Sequence, residues 1–353
     1  MSDVKCSFPV TEVPKLTYFS FQLKWMLIAL FISLFIGSSV AFFLLSLDFV
    51  TEFRESNLWI VSLLPIAGLI IGLSYHYFGT SIVKGNNLLL EEFHSPKQII
   101  PFKMAPLVLF GTLLTHLCGG SAGREGTAVQ MGGAIADQFT KIFRLSNSDR
   151  KLLLIIGISG GFAAVFGTPI AGAIFALGIM VLGRMRYESV LPSITAAVAS
   201  HYVCLFWGAH HTLYFIPEVP RMGVQNLFIT VFAGILFGLT AMWFSKSIHF
   251  VSTISSKIVS YAPLRPFIGG VLIALFVFFT GSTKFIGLGI PTIVEAFYVS
   301  LPASDFAIKL LITAFTLGVG FKGGEVTPLF FMGATLGSAL FIFLPLPIAL
   351  LAG

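Results

Sequence analysis

The stretch "HLCGGSAGREGTAVQMGG", residues 116–133, holds an adjacent arginine and glutamate in a glycine-rich loop, directly after the apolar run 104–115. A charged side chain near the centre of a bilayer costs about 2.5–3.5 kcal/mol on insertion scales, so it has either a function or a partner. Whether this loop lies at membrane depth depends on the composition of the whole chain.

That composition is typical of an integral membrane protein. Of the 353 residues, 56% are hydrophobic and only 10% are charged, whereas soluble domains carry roughly a quarter charged residues. The net charge of +6 fits Lys- and Arg-rich cytoplasmic loops and requires no nucleic-acid partner. Cys6, Cys118 and Cys204 lack metal-site or disulfide spacing, and no metal or organic cofactor is predicted. The first apolar run, 25–47, is uncharged and too long for a signal peptide, so it predicts a spanning helix.

Lysine and arginine are distributed unevenly between the loops. Lys5, Lys15 and Lys24 precede the first apolar run, whereas the next loop, 48–57, is acidic. Because cytoplasmic loops carry the excess of Lys and Arg, we predict that the N-terminal segment 1–23 is cytoplasmic. Several apolar segments are too short, or too interrupted by Gly and Pro, for simple spans, which is typical of the broken helices of transporters. The apolar segments are 25–47, 58–78, 104–118, 126–139, 152–166, 169–183, 189–208, 224–244, 266–281, 306–320 and 326–350.

The sequence contains an internal similarity at a shift of about 200 residues. "GREGT" (123–127) falls on "GGEVT" (323–327) at a shift of 200, and "MG" (131–132) falls on "MG" (332–333) at a shift of 201. Apolar segments fall on apolar segments in the same order. We therefore predict a duplicated membrane unit.

The two predicted repeats, 24–208 and 209–353, differ in content. In the first repeat, the apolar segments 152–166 and 169–183 follow the glutamate-bearing half-helix. Their counterparts would begin near residue 350. We therefore expect the second repeat to be incomplete, lacking its last two or three membrane segments.

The glycine loop has the chemistry of an anion site. Gly123 and Gly126 let the backbone approach a ligand closely, and a helix is expected to start at Thr127. The first N–H groups of a helix lack partners and attract anions. An ionised Glu125 would compete with a dissolved anion there, whereas a protonated Glu125 would swing away. The alternative is that Arg124 and Glu125 simply form an ion pair or lie in an interfacial loop.

Two further segments are candidates for the same site. Glu325, Val326 and Thr327 open a second half-helix in the other repeat. Asn86 and Asn87, in "KGNNLLL", carry amide N–H groups that donate strongly to a small anion. The alternative for the two asparagines is a turn or a helix cap, which Asn favours.

An enzymatic alternative starts from "GGSAG" (119–123), which matches the G-x-S-x-G nucleophile elbow and would make Ser121 a nucleophile. An intramembrane serine hydrolase would also need a histidine base. None of the seven histidines lies in a recognisable motif, and an apolar helix precedes the turn where the elbow needs a strand.

Together these loops resemble the signature loops of the CLC family of anion channels and proton-coupled antiporters, which read roughly G-S-G-I-P, G-[KR]-E-G-P and G-x-F-x-P. They correspond to "GNNLL" (85–89), "GREGT" (123–127) and "GEVTP" (324–328). Asn86 stands at the position of the family's central serine, and Thr127 at that of a proline. These substitutions, with the Glu and Thr of the third loop, resemble the bacterial fluoride/proton antiporters.

The resemblance implies an all-α integral membrane protein with the CLC-type inverted repeat and broken, re-entrant helices. It implies a homodimer in the cell membrane, the bacterial inner membrane, that exports fluoride in exchange for protons. Glu125 would be the gating, proton-carrying glutamate. The anion-binding residues, with Lys322 as the nearest candidate partner of Glu325, would be Asn86, Asn87, Gly123, Arg124, Gly126, Thr127, Glu325, Val326 and Thr327.

The family's chloride/proton antiporters also have an internal proton-carrying glutamate after "PLAG". Here "PIAGAIFALGIM" (169–180) has Gly178 and Ile179 in that neighbourhood, and no acid. The family's central tyrosine lies in a last helix beyond residue 353. A chloride channel or chloride/proton antiporter of the same fold remains the alternative function.

Overall fold

The computed structural model describes residues 15–180, 187–221 and 223–353, and within these ranges it is helical and has no strand. Residues 1–14 of the predicted cytoplasmic segment 1–23 lie outside the described residues. Short 3-10 turns connect some of the helices. The helices are α1 (Lys15–Ser56), α2 (Leu64–Tyr77), α3 (Asn86–His94), α4 (Met104–Leu117), α5 (Glu125–Ile142), α6 (Asn147–Phe166), α7 (Pro169–Met180), α8 (Val190–Phe206), α9 (Val224–Ile258), α10 (Leu264–Thr280), α11 (Ile290–Ala296), α12 (Ser304–Gly318), α13 (Val326–Leu340) and α14 (Ile348–Ala352).

Apolar helices of two lengths occur in the described residues, as expected for broken membrane helices. Four helical segments in the described residues are long and apolar enough to cross a membrane: Phe19–Ser56, Leu58–Tyr77, Tyr187–Phe206 and Val224–Ile258. The helices α4, α7, α10 and α13 are apolar but shorter.

One predicted segment is divided in the structure. The apolar run 326–350 forms two helices, α13 and α14, which are separated at 341–347. Pro345 and Pro347 lie in that interval, and a proline lacks the N–H group that would continue a helix.

The internal repeat is visible in the order of the helices. The series α1 to α5 and the series α9 to α13 each contain a long helix, a shorter one, a helix of about two to three turns and then two half-length helices. The loops before α5 and α13 fold alike. Gly120 N–H donates to the Thr115 carbonyl (2.7 Å), and Phe321 N–H donates to the Thr316 carbonyl (3.3 Å).

Hydrogen bonds between the two loops obey a local two-fold symmetry. The backbone N–H of Ser121 donates to the Thr316 hydroxyl (3.3 Å), and the N–H of Lys322 donates to the Thr115 hydroxyl (3.4 Å). These partners are related by a shift of 201 residues. Such reciprocity is the geometry that two facing copies of one unit produce.

The shift of 201 corrects the alignment of the two acidic motifs. At this shift Glu325 is equivalent to Arg124, and each residue directly precedes its half-helix as the N-cap. Glu125 is equivalent to Val326. The match of "GREGT" with "GGEVT" at a shift of 200 is therefore wrong by one residue, because the backbone bonds, not the shared letters, define equivalent positions.

Helices α3, α5 and α6 are joined by a buried ion cluster. The Arg150 guanidinium donates twice to Asp137, through Nε (2.7 Å) and Nη2 (2.7 Å), and once to Glu92 (3.0 Å). The Glu92 carboxylate also accepts the N–H groups of Lys97 and Gln98. Buried charges are tolerated when every one is paired in this way. The cluster fixes the half-helices that form the candidate site.

Candidate functional site

The two glycine loops meet in the interior of the molecule. Gly123 and Gly324 form an antiparallel bridge in which each N–H donates to the other's carbonyl, both at 2.7 Å. The bridge brings together the N-terminal ends of α5 and α13. Because the first N–H groups of each helix lack intrahelical partners, two partially positive helix ends converge at one point.

The carboxylate of Glu125 occupies this point. Glu125 is the first residue of α5, two positions before the predicted helix start, and its side chain is buried. Its Oε2 accepts the backbone N–H groups of Arg124 (3.1 Å) and Thr327 (3.2 Å), and its Oε1 accepts the hydroxyl of Thr327. The carboxylate therefore sits at the N-terminal end of the opposite half-helix, α13, where a dissolved anion would be attracted.

The described side chains of Arg124 and Glu125 do not form the ion pair that was one of the two alternative interpretations. The Arg124 side chain is buried, and its Nε has no hydrogen-bond partner within the described chain. The hydroxyl of Thr127 bonds the hydroxyl of Thr112 on α4 (2.7 Å). The predicted anion-binding role of both side chains stays a prediction.

A cavity of about 480 Å³ lies beside Glu125. The N-terminal end of α3 reaches it, so Asn86 and Asn87 line its wall, and neither amide caps the helix through its side chain. Gly126 lies close to this end: a Cβ at Gly126 would be 3.4 Å from Asn86 Nδ2. Residues at the N-terminal ends of α3, α5 and α13 thus border one cavity.

Glu325 and Val326 line the same cavity. Lys322, the nearest candidate partner of Glu325, forms no ion pair with it in the described structure. The Lys322 ammonium lies instead over the ring of Tyr75, 4.1 Å from its centre. A lysine side chain is long and flexible, so the ammonium of Lys322 reaches the Tyr75 ring on α2 and forms a cation–π contact there instead of pairing with Glu325.

Tyr75 and Gln130 line the cavity as well, although no sequence motif pointed to them. Both border the cavity, and Gln130 lies one helical turn after Gly126 on α5. A polar residue on the same helix face as Gly126 was a usable signal. Tyr75 offered none, since its contact with the site depends on the packing of α2.

Ser121 does not have the arrangement of a nucleophile elbow. Its hydroxyl pairs with the Thr313 hydroxyl (2.8 Å), and helix α4 precedes its turn. The histidine nearest to it in the sequence, His116, has its ring nitrogens 2.9 and 3.0 Å from the carbonyl oxygens of Thr112 and Ala122. The described residues also contain no group of three or more His, Cys, Asp or Glu arranged to hold a metal.

The sequence that forms these helix ends and the glycine bridge lies within the match to a known protein family. The model of the voltage-gated chloride channel family matches residues 67–352. This chain belongs to the CLC family. The resemblance of its three loops is therefore confirmed, and this CLC protein is an all-α, multi-pass membrane protein.

Named relatives of this CLC protein transport different halides. It is 49% identical over 336 residues to the "Chloride/fluoride channel protein" of Pseudomonas syringae pv. tomato, across 94% of this chain and 74% of the relative. It is 27% identical to the "H(+)/Cl(-) exchange transporter ClcA" of Vibrio campbellii, across 84% of this chain and 68% of the relative.

Solved structures give the same fold. The CLC chain resembles a crystal structure of a CLC-type fluoride/proton antiporter with a TM-score of 0.89 and 31% identity, across 97% of this chain and 86% of that one. It resembles a slow cyanobacterial Cl-/H+ antiporter with a TM-score of 0.79 at 19% identity, across 93% and 83% of the two chains, which is a likeness of fold alone. The CLC-type inverted repeat with broken helices is confirmed, and the repeat boundaries 24–208 and 209–353 stay predictions.

Proposed function

We propose that this CLC protein is a fluoride/proton antiporter that exports fluoride from the cytoplasm, with Glu125 as the gating and proton-carrying residue. One observation carries the proposal. The Glu125 carboxylate is bound to the N–H and hydroxyl of Thr327 at the N-terminal end of the facing half-helix. It acts there as a tethered substitute for the transported anion.

This arrangement couples a proton to an anion by competition. When ionised, Glu125 holds the donors of α13, and a dissolved anion is excluded by both occupancy and charge. When protonated, it loses most of its attraction to the helix end and leaves the donors free for the anion. Proton binding to Glu125 thus opens the site to the anion, and proton release lets the carboxylate displace the anion, so the two ions are coupled at one site.

The preference for fluoride rests on the donors around the cavity. Fluoride is small and strongly hydrated, so a selective site must replace its water with strong hydrogen-bond donors. The amides of Asn86 and Asn87, the hydroxyl of Thr327 and the N–H groups of three helix ends are such donors. The names of the relatives, a chloride/fluoride channel protein and a CLC-type fluoride/proton antiporter, support this choice of ion.

Ile179 lies in the neighbourhood where the family's chloride/proton antiporters have an internal proton-carrying glutamate, and its side chain lines the cavity. We therefore propose that the proton route uses Glu125, with no second acid on α7. Glu325 borders the cavity as well, and we retain it, with Val326, among the anion-site residues. The proposal makes the protein a transporter and not an enzyme.

Ion efflux from reconstituted liposomes tests the proposal. Vesicles loaded with fluoride or with chloride would be followed by ion-selective electrodes, while a pH electrode records proton movement. Fast fluoride efflux with proton uptake and little chloride efflux is the expected result. Equal chloride efflux would instead support a chloride channel or chloride/proton antiporter of the same fold.

We also propose a homodimer within the lipid bilayer. Large apolar side chains are exposed along α9, among them Phe228, Phe232 and Trp243, and such a surface needs lipid or a second copy as its neighbour. Cross-linking in membranes, followed by mass determination in detergent, tests this. A protein that stays monomeric in lipid would contradict it.

A further inference from the structure

A second cavity of about 450 Å³ lies next to the central one. The two cavities share the same wall, which consists of Tyr75, Val83, Leu317 and Lys322. The wall is thus one side chain thick where Lys322 rests on Tyr75. Neither the sequence motifs nor the proposed anion site accounts for this second space.

The second cavity lies at the ends of α2 and α9. His76 comes from the last turn of α2, and Ser252 and Ser255 come from the last turns of α9. α1 starts on the side that the Lys and Arg distribution assigns to the cytoplasm. α1 therefore ends on the opposite side of the membrane, and α2 runs back from there toward the cytoplasm. The last turn of α2, and the cavity that it lines, then lie on the cytoplasmic side.

The charges around the second cavity have one sign. Arg265 and Lys322 line it, together with His76 and the hydroxyl groups of Thr80 and Ser252. None of its described lining residues is Asp or Glu. A concave surface of one charge sign concentrates ions of the opposite sign, because the low-dielectric walls focus the field.

Lys322 is held in this wall without a polar partner. Its ammonium lies 4.1 Å from the centre of the Tyr75 ring, and within the described chain it makes no hydrogen bond or ion pair. A lysine ammonium has three donors on a flexible stem. It is therefore able to follow an anion from one side of the wall to the other.

We propose that the second cavity is a cytoplasmic antechamber that binds a small hydrated anion, and that Lys322 passes this anion over Tyr75 into the central cavity. The inference rests on the proposed anion transport and adds to it an entrance and a positioning residue. The charged residues of the lining, Arg265 and Lys322, are both basic, which favours an anion as the passenger, and the described lining contains no carboxylate to relay a proton.

Cysteine labelling tests the antechamber without measuring transport. Ser252→Cys faces the cavity, whereas Ser256→Cys is exposed on the same end of α9 but does not line it. Each variant would be treated from the cytoplasmic side, in inside-out membrane vesicles, with an anionic and a cationic methanethiosulfonate of equal size. The parent chain corrects for its native cysteines, of which Cys118 and Cys204 are buried.

The expected result is a preference for the anionic reagent at Ser252→Cys that exceeds the preference at Ser256→Cys by about tenfold, the lower end of what a focused field produces. Adding Lys322→Met should reduce that preference. Equal preferences at the two positions, or no reaction at Ser252→Cys from the cytoplasmic side, would overturn the antechamber even if the protein exports fluoride.

Flux measurements test Lys322 as the residue that passes the anion. Lys322→Met should raise the half-saturating fluoride concentration several-fold, because the charge that draws the anion through the wall is lost. Lys322→Arg should bring the half-saturating fluoride concentration most of the way back to the parent value, because arginine keeps the positive charge. An unchanged half-saturation in Lys322→Met, in protein that still exports fluoride, would overturn this role and leave the proposed function standing.

Discussion

Gly123 and Gly324 exchange two backbone hydrogen bonds of 2.7 Å across the centre of the molecule. Neither glycine has room for a side chain. A Cβ at Gly324 would lie 2.7 Å from Glu125 Oε2 and 2.9 Å from the backbone nitrogens of Glu125 and Gly126. The bridge therefore controls how closely the gating carboxylate approaches the opposite half-helix.

Gly324→Ala is expected to reduce fluoride efflux about tenfold or more, because overpacking of about 1–3 kcal/mol must be relieved by moving the loop or the carboxylate. Gly333→Ala, within the half-helix α13 that follows the bridge, is the control, since nothing lies within 4 Å of a Cβ there. Efflux from liposomes and the thermal midpoint in detergent would be measured for both. Full activity of Gly324→Ala would mean that the close packing at the bridge is unnecessary.

Glu125→Gln is expected to abolish proton-coupled fluoride movement. A glutamine amide does not change its charge by taking up or releasing a proton. Its NH₂ group is a donor, so it cannot accept the hydrogen bonds that the carboxylate accepts from Thr327. Anion efflux should continue without proton uptake, as read by fluoride and pH electrodes on the same vesicles. Glu52→Gln, an exposed acid on α1, is the control and should keep normal coupling. Proton uptake that persists in Glu125→Gln would remove the residue from the proton route.

The half-helices of the site could be predicted because local signals specify them. Glycines that flank an acid, followed by a short apolar run, indicated both α5 and α13, and the observed starts at Glu125 and Val326 differ from the expected ones by at most two residues. A helix end depends mainly on its own neighbourhood in sequence. The same holds for α3, which starts at Asn86.

The partners of the charged groups could not be predicted in this way. The Glu125 carboxylate bonds Thr327, 202 residues away, and only the packing of the two repeats brings them together. Lys322 is three residues from Glu325 but lies on Tyr75 of α2. The cluster of Arg150 with Asp137 and Glu92 likewise had no sequence signature, since three separate helices contribute to it.

Asn86→Ser is expected to weaken the discrimination of fluoride from chloride. A hydroxyl has one donor where the amide has two, and a net hydrogen bond of about 0.5–1.5 kcal/mol corresponds to a loss of selectivity of roughly two- to twelvefold. The ratio of fluoride to chloride efflux from matched liposomes measures it. Asn226→Ser, at the exposed start of α9, should leave the ratio unchanged. If Asn86→Ser also leaves it unchanged, the amide does not contact the anion.

Arg150→Met is expected to destabilise the protein by about 3–5 kcal/mol, because it leaves two buried carboxylates without their common partner. Asp137 and Glu92 are both nearly inaccessible, with side-chain exposures of 0% and 6%. The thermal midpoint in detergent should fall by many degrees, and fluoride efflux should be lost as α3 and α5 separate.

The exposed ion pair of Lys84 and Glu91 is the internal comparison for Arg150→Met. Its atoms are as close, at 2.6 Å, but both side chains are more than half exposed. An exposed pair contributes about 0–1 kcal/mol, because water screens it and its side chains lose entropy on pairing. Glu91→Gln should therefore leave the midpoint nearly unchanged. Equal falls of the thermal midpoint in Arg150→Met and Glu91→Gln would mean that burial does not determine how much these ion pairs stabilise the protein. The packing of α3 against α5 and α6 would then be maintained by apolar contacts alone.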